Sequence, residues 1–204
     1  MKYVVKESFL NYLAHLFFSD SGEEALLGSL LGDFVKGNPV GRFPPAVADA
    51  IFFHRKIDSY SDRHIITRRS RKRISPARRR FAGVIVDVVY DHFLSRHWPQ
   101  FSPVDLKSFV GRVYSVLGRN RAHLPERLRR VLPHMIAENW LGSYCQLEGV
   151  GHALDRIAGR LFRGGAFKGA VAEIVANYEA LENDFLLFFP DLSVFARNGT
   201  KGSR

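Results

Sequence analysis

Apolar positions along the chain recur at intervals of three and four residues, and the two-residue alternation that marks a half-buried strand is nearly absent. The pattern predicts an all-α protein: one helical bundle in a single domain. A first helix is expected over about Ser8 to Phe18 and a second over Glu23 to Val35, stopped by Gly37, Asn38 and Pro39. Pro44 and Pro45 suit the first turn of a third helix reaching about Tyr60, because proline lacks only an N–H that has no partner there. After Pro76 a long helix is expected from Ala77 to His97. Further helices are expected over Val104 to Leu117, Pro125 to Tyr144 with a kink at Pro133, His152 to Phe162, and Phe167 to Phe189, closed by Pro190. The reading divides the chain into an extension (1–10), a helical domain (11–197) and a fraying polar tail (198–204).

Length and composition agree with one packed domain. The 204 residues are 46% apolar and include 17 Phe, enough side-chain volume for a core, so disorder and low complexity are excluded. The single cysteine, Cys145, has no partner for an internal disulfide, which fits a reducing, cytoplasmic setting. Asn11 and His15 interrupt the apolar run near the start, so no signal peptide is expected, and no run approaches the ~20 apolar residues of a membrane helix.

Charge changes the picture more. Lys and Arg outnumber Asp and Glu by 30 to 20, and nine basic residues fall in one acid-free stretch: Arg63, Arg68, Arg69, Arg71, Lys72, Arg73, Arg78, Arg79 and Arg80. Such a block favours an anionic partner, although a merely solvated helix face has the same composition.

The candidate chemistry lies on the apolar stripes. On the third helix His54 and Asp58 are four residues apart and share a face with Val47 and Ile51. Asp87 and Asp91 repeat that spacing among Val84, Leu94 and Trp98, and Asp33 lies beside the stripe of Leu26 and Leu30. Buried carboxylates persist when paired or bound to metal. His and Asp ligands projecting from facing helices are how bundles build metal sites, and an oxygen-rich set with imidazole suits Mn²⁺ or Mg²⁺ better than structural zinc. The bland alternative is a buried ionic lock in which His54 pairs with Asp58, and Arg55 or Arg96 holds Asp87 or Asp91. His15 and His92 stand in the second rank. No phosphate-binding loop, nucleophile elbow or Cys-x-x-Cys pair is present, which leaves metal-activated water.

Four segments together carry a resemblance: Asn11-Tyr-Leu-Ala-His-Leu16, Leu31-Gly-Asp-Phe-Val-Lys-Gly-Asn-Pro39, His54-Arg-Lys-Ile-Asp58 and Asp87-Val-Val-Tyr-Asp-His-Phe-Leu-Ser-Arg-His-Trp98. In this order they resemble the acyl carrier protein phosphodiesterase family, over about Asn11 to Asp191. The resemblance implies an HD-like, all-helical phosphohydrolase that removes 4′-phosphopantetheine from the serine of holo acyl carrier protein, with Mn²⁺ or Mg²⁺ as cofactor. It carries Asp33 over as a catalytic residue and metal ligand. His54, Asp58, Asp87, Asp91 and His92 match by motif, and Lys36 and Lys56 keep positive charge where the family also accepts arginine. Arg55 is expected to neutralise phosphoryl oxygens. Acyl carrier proteins are small and strongly acidic, so the basic block is expected to steer the carrier. Two other readings stay open: an HD-like phosphohydrolase of a nucleotide or small phosphate ester, and a basic helical nucleic-acid-binding protein.

Overall fold

The computed structural model describes residues 12–19, 22–159 and 168–201. The proposed extension (1–10), the start of the first expected helix, residues 160–162 and 167 of two others, and the end of the tail lie outside the described residues. Among the described residues twelve α-helices follow one another: α1 Tyr12–Phe17, α2 Glu23–Leu31, α3 Pro45–Arg63, α4 Ile65–Arg73, α5 Ala82–Arg96, α6 Trp98–Phe101, α7 Leu106–Arg119, α8 Glu126–Ala137, α9 Trp140–Ser143, α10 Leu147–Ala158, α11 Val171–Ala176 and α12 Tyr178–Lys201. No strand occurs among the described residues, as the periodicity predicts; Val40 and Phe43 make one isolated bridge.

α5 is the central element. Val86, Val88, Val89, Phe93 and Leu94 are fully buried on several sides of it, and α1, α4, α10 and α12 pack around it. A helix surrounded in this way reads as apolar nearly all round, which is how its sequence looks. A second packing unit is the pair α2 and α3. Their close approach depends on Gly28 and Gly32, one turn apart on α2 and the turn after it. A Cβ at Gly28 would lie 2.4 Å from the Val47 carbonyl oxygen, and one at Gly32 only 2.2 Å from the His54 ring.

Three expectations are corrected. Pro190 does not end the last helix but sits inside α12, which continues to Lys201 because Phe188, Phe189, Leu192 and Ala196 seat both halves on the core. Pro133, by contrast, lies inside α8, within the helix expected to contain it. The long helix expected from Ala77 is split: Pro76–Phe81 is a 3₁₀ turn, and the α-helix begins at Ala82. The basic segment, for which no helix is expected, forms α4. It buries only Thr67 and Ser70, so it lacks the apolar stripe that would have announced it.

Candidate metal centre

The centre is assembled from α1, α2 and α3. His15 ends the buried face of α1, Asp33 lies in the turn that follows α2, and His54 and Asp58 stand one turn apart on α3. Ser29 of α2 joins the other two helices. Its hydroxyl donates to the His15 carbonyl at 2.8 Å, and its own carbonyl accepts from His54 Nδ1 at 2.7 Å. A carbonyl only accepts, so Nδ1 of His54 carries a proton and Nε2 is the nitrogen that faces inward.

What Nε2 faces is negative. Asp33 Oδ1 is 3.2 Å away and Asp58 Oδ2 3.5 Å, while His15 Nε2 lies 3.1 Å from Asp58 Oδ1. The two imidazoles stack at 3.6 Å between centroids and 15° between planes. His15 and His54 are 2% and 1% exposed, whereas the Asp58 side chain, at 26%, opens the cluster to solvent. Three buried polar atoms are left without a hydrogen-bond partner: His15 Nδ1, His54 Nε2 and Asp33 Oδ2.

The protonation pattern is that of a cluster that favours positive charge. Burial alone lowers the His54 imidazolium, but Asp33 and Asp58 outweigh it and hold it up at about 10. His15 moves the other way, lowered by burial and by the charge on His54. Burial raises Asp58, and the two histidines more than reverse this, leaving it well below the usual carboxylate range. A divalent cation answers the same demand as the proton on His54. Octahedral ions with ligands at about 2.1 Å hold adjacent donors about 3 Å apart, close to the spacings here. Ligating atoms of His15, His54 and Asp58 all lie within 4.8 Å of one another. The donor set, imidazole and carboxylate without thiolate, is one that divalent cations accept.

The structure separates the residues brought forward by the sequence. His54, Asp58 and Asp33 converge, and second-rank His15 joins them at the centre. Asp91 does not present a carboxylate oxygen to the cluster. Its oxygens accept the backbone N–H groups of Leu13 at 3.0 Å and Ala14 at 2.9 Å, and burial pushes its carboxyl well above the usual range against those bonds. It therefore fixes the turn of α1 that delivers His15. Asp87 is half-buried and lines a small cavity with Ala14, Ile57, Thr67, Tyr90 and Phe185. His92 turns away, its ring nitrogens taken by the Tyr144 carbonyl at 2.7 Å and the Tyr178 hydroxyl at 2.9 Å. Arg55 is tied to the backbone beside the cluster. Its terminal nitrogens donate to the Val35 and Gly37 carbonyls at 2.5 and 2.7 Å, so it straps down the loop after Asp33. Ser29 and Gly32 escaped the sequence reading, since only the packed pair α2 and α3 gives them a role.

The basic block is not a uniform steering face. Asp184, on α12, accepts from Arg69 at 2.5 Å, Arg73 at 2.9 Å and Ser70 at 2.8 Å. Arg71 pairs with Asp62 and Arg78 with Glu173. Arg68, Lys72, Arg79 and Arg80 remain exposed, and Arg63 bonds to Ser59 of its own helix.

With this geometry in view, the comparisons are decisive. The family model described as acyl carrier protein phosphodiesterase matches residues 10–192. The chain belongs to the acyl carrier protein phosphodiesterase family. The match covers all four converging residues. Proteins of that name from Serratia proteamaculans (strain 568), Enterobacter sp. (strain 638) and Yersinia pestis are 37%, 35% and 34% identical to it. The alignments cover 93%, 93% and 90% of this chain and 98%, 98% and 95% of those proteins. No solved structure matches the chain. No helix among the described residues is long and apolar enough to cross a membrane.

Proposed function

We propose that this phosphodiesterase hydrolyses the bond between 4′-phosphopantetheine and the serine of holo acyl carrier protein, using a divalent cation held by His15, His54, Asp58 and Asp33. The observation that supports the site is the convergence of these donors with three of their polar atoms orphaned, an arrangement that a purely structural lock would close. A bound Mn²⁺ or Mg²⁺ supplies charge to polarise the phosphodiester and makes water nucleophilic at neutral pH.

The chain's own groups do the rest. Ser29 fixes the tautomer that aims His54 Nε2 inward. Asp91 sets the register of α1 and therefore of His15. Arg55 holds the loop behind Asp33, and in this reading the Asp33 carboxylate takes the proton from the attacking water. The water oxygen bonds to phosphorus, the serine oxygen leaves with the bonding pair and is protonated, and the products are apo carrier and 4′-phosphopantetheine. The exposed part of the basic block, Arg68, Lys72, Arg79 and Arg80, adds long-range attraction for an acidic carrier. The test is incubation of holo carrier with the protein and Mn²⁺, followed by mass spectrometry. Loss of the phosphopantetheine mass is expected, and an unchanged carrier mass after prolonged incubation with metal overturns the proposal.

A further inference from the structure

Half a turn round α3 from His54 lies a surface that the chemistry above does not use. Asp49, Lys56 and Arg63 are spaced by seven residues and form one stripe along the outer side of the helix. Together with Phe195 and Gly199 of α12, this side of α3 lines a groove of about 500 Å³. Its floor is aromatic. Phe53 packs inward on the core and Phe195 stacks on Tyr60 at 4.2 Å, but Phe52 is half-exposed and belongs to neither core cluster.

The rim is cationic toward the C-terminal end of α3. Lys56 and Arg63 are exposed, and among the described residues no carboxylate lies within ion-pairing distance of either. This distinguishes them from Arg69, Arg71, Arg73 and Arg78, whose charge is answered inside the chain. Arg63 is also held in place. Its Nε donates to the Ser59 carbonyl at 2.9 Å and a terminal nitrogen to the Ser59 hydroxyl at 2.7 Å, and the side chain lines the groove. Arg55 adds a third positive charge to the wall, and Asp49, two turns before Lys56, is the only acid lining the groove among the described residues.

We propose that this groove between α3 and α12 is where an acidic helix of the carrier protein docks, an inference that rests on the carrier reading above. Two cations two helical turns apart, about 10 Å along the axis, match acidic side chains at the same interval on a second helix. An apolar residue between them would meet the Phe52 ring, the arrangement by which an amphipathic helix lies in a groove. Asp49 sets the direction, because an occupant's acidic end is repelled from it and drawn to Lys56 and Arg63. The docked helix lies about one helix diameter, ~10 Å, from the metal donors, with α3 between them. One carrier domain can thus hold α3 by its outer face and present its modified serine at the open Asp58 side.

The test is binding of a fluorescently labelled bacterial apo acyl carrier protein, read by anisotropy. Lys56→Glu with Arg63→Glu is expected to weaken binding at least tenfold at low salt, with Tm and bound Mn²⁺ per chain unchanged. Wild-type affinity should fall steeply with added salt, and that of the double variant should respond less. Wild-type affinity in a double variant that keeps its Tm overturns the proposal. So does light scattering that finds a wild-type dimer separated by these substitutions, because the groove would then hold a second copy. Failure of the carrier reading has a different signature: holo carrier would bind the wild type yet keep its phosphopantetheine mass.

Discussion

The cluster at His15, His54, Asp33 and Asp58 and the cluster at Asp184 are made from similar materials: charged side chains carried into the interior by packed helices. They differ in closure. Asp184 is 1% exposed, yet its two oxygens are answered by Arg69, Arg73 and Ser70, and Ser70 also bonds to the Tyr90 hydroxyl at 2.8 Å. Its carboxyl is held below the usual range: burial raises it, and the hydrogen bonds from Arg73, Ser70 and Arg69 prevail. At His54, by contrast, two carboxylates converge on one ring nitrogen, and polar atoms are left over. A closed cluster ties α4 to α12. The open one can take a cation, and by keeping its donors unsatisfied it gives up stability that binding can return.

The largest test of this contrast is Asp33→Ala. Removing an oxygen that faces His54 should lower turnover of holo carrier by about 10²-fold or more, while circular dichroism and Tm stay near wild type. A variant with near-normal turnover would place Asp33 among the structural residues. Metal comes next. Chelation should abolish hydrolysis and added Mn²⁺ restore it, and at 100 times Kd the ion should stabilise the fold by about 2.7 kcal/mol, seen as a higher Tm. That rise should shrink in His54→Ala and persist in Asp184→Asn.

Asp184→Asn should show the reverse profile. Leaving Arg69 and Arg73 without their carboxylate should cost roughly 2 kcal/mol and several degrees of Tm, moderated because both guanidinium groups can reach water. Turnover at a temperature well below Tm should fall far less than in Asp33→Ala. The smallest effect is in pH. The Asp184 pKa is depressed by folding, so its contribution is fully present above the unfolded value, near 3.9, and is lost as pH falls through the lower folded value. Thermal melts of wild type minus Asp184→Asn should therefore be constant from pH 7 to about 5 and converge below about pH 4. A difference that grows on acidification would reverse the assigned sign.

The two clusters were also unequally legible. His54 and Asp58 could be read because a four-residue interval on an apolar stripe puts both on one inward face whatever the tertiary fold. Asp33 followed from its place beside the stripe of Leu26 and Leu30. Asp87 and Asp91 share the same interval and read identically, although Asp91 serves backbone N–H groups and Asp87 lines a small cavity. Periodicity gives direction around one helix and is silent about what waits there. The Asp184 cluster could not be read at all, because it joins residues more than a hundred positions apart and its helix α4 has no apolar stripe.

The sequence by itself determined the all-α class, most of the helices, the inward set of His and Asp, and, through four motifs in order, the family. These rest on local geometry and on residue identity, which need no partner element. Only the tertiary structure decided that His15 belongs at the centre and His92 does not, that Arg55 binds a loop, that much of the basic block is answered from within, and that Lys56 and Arg63 border a groove. Each of those depends on which helix lies opposite, and a side chain's role is set by the atoms it meets across that contact.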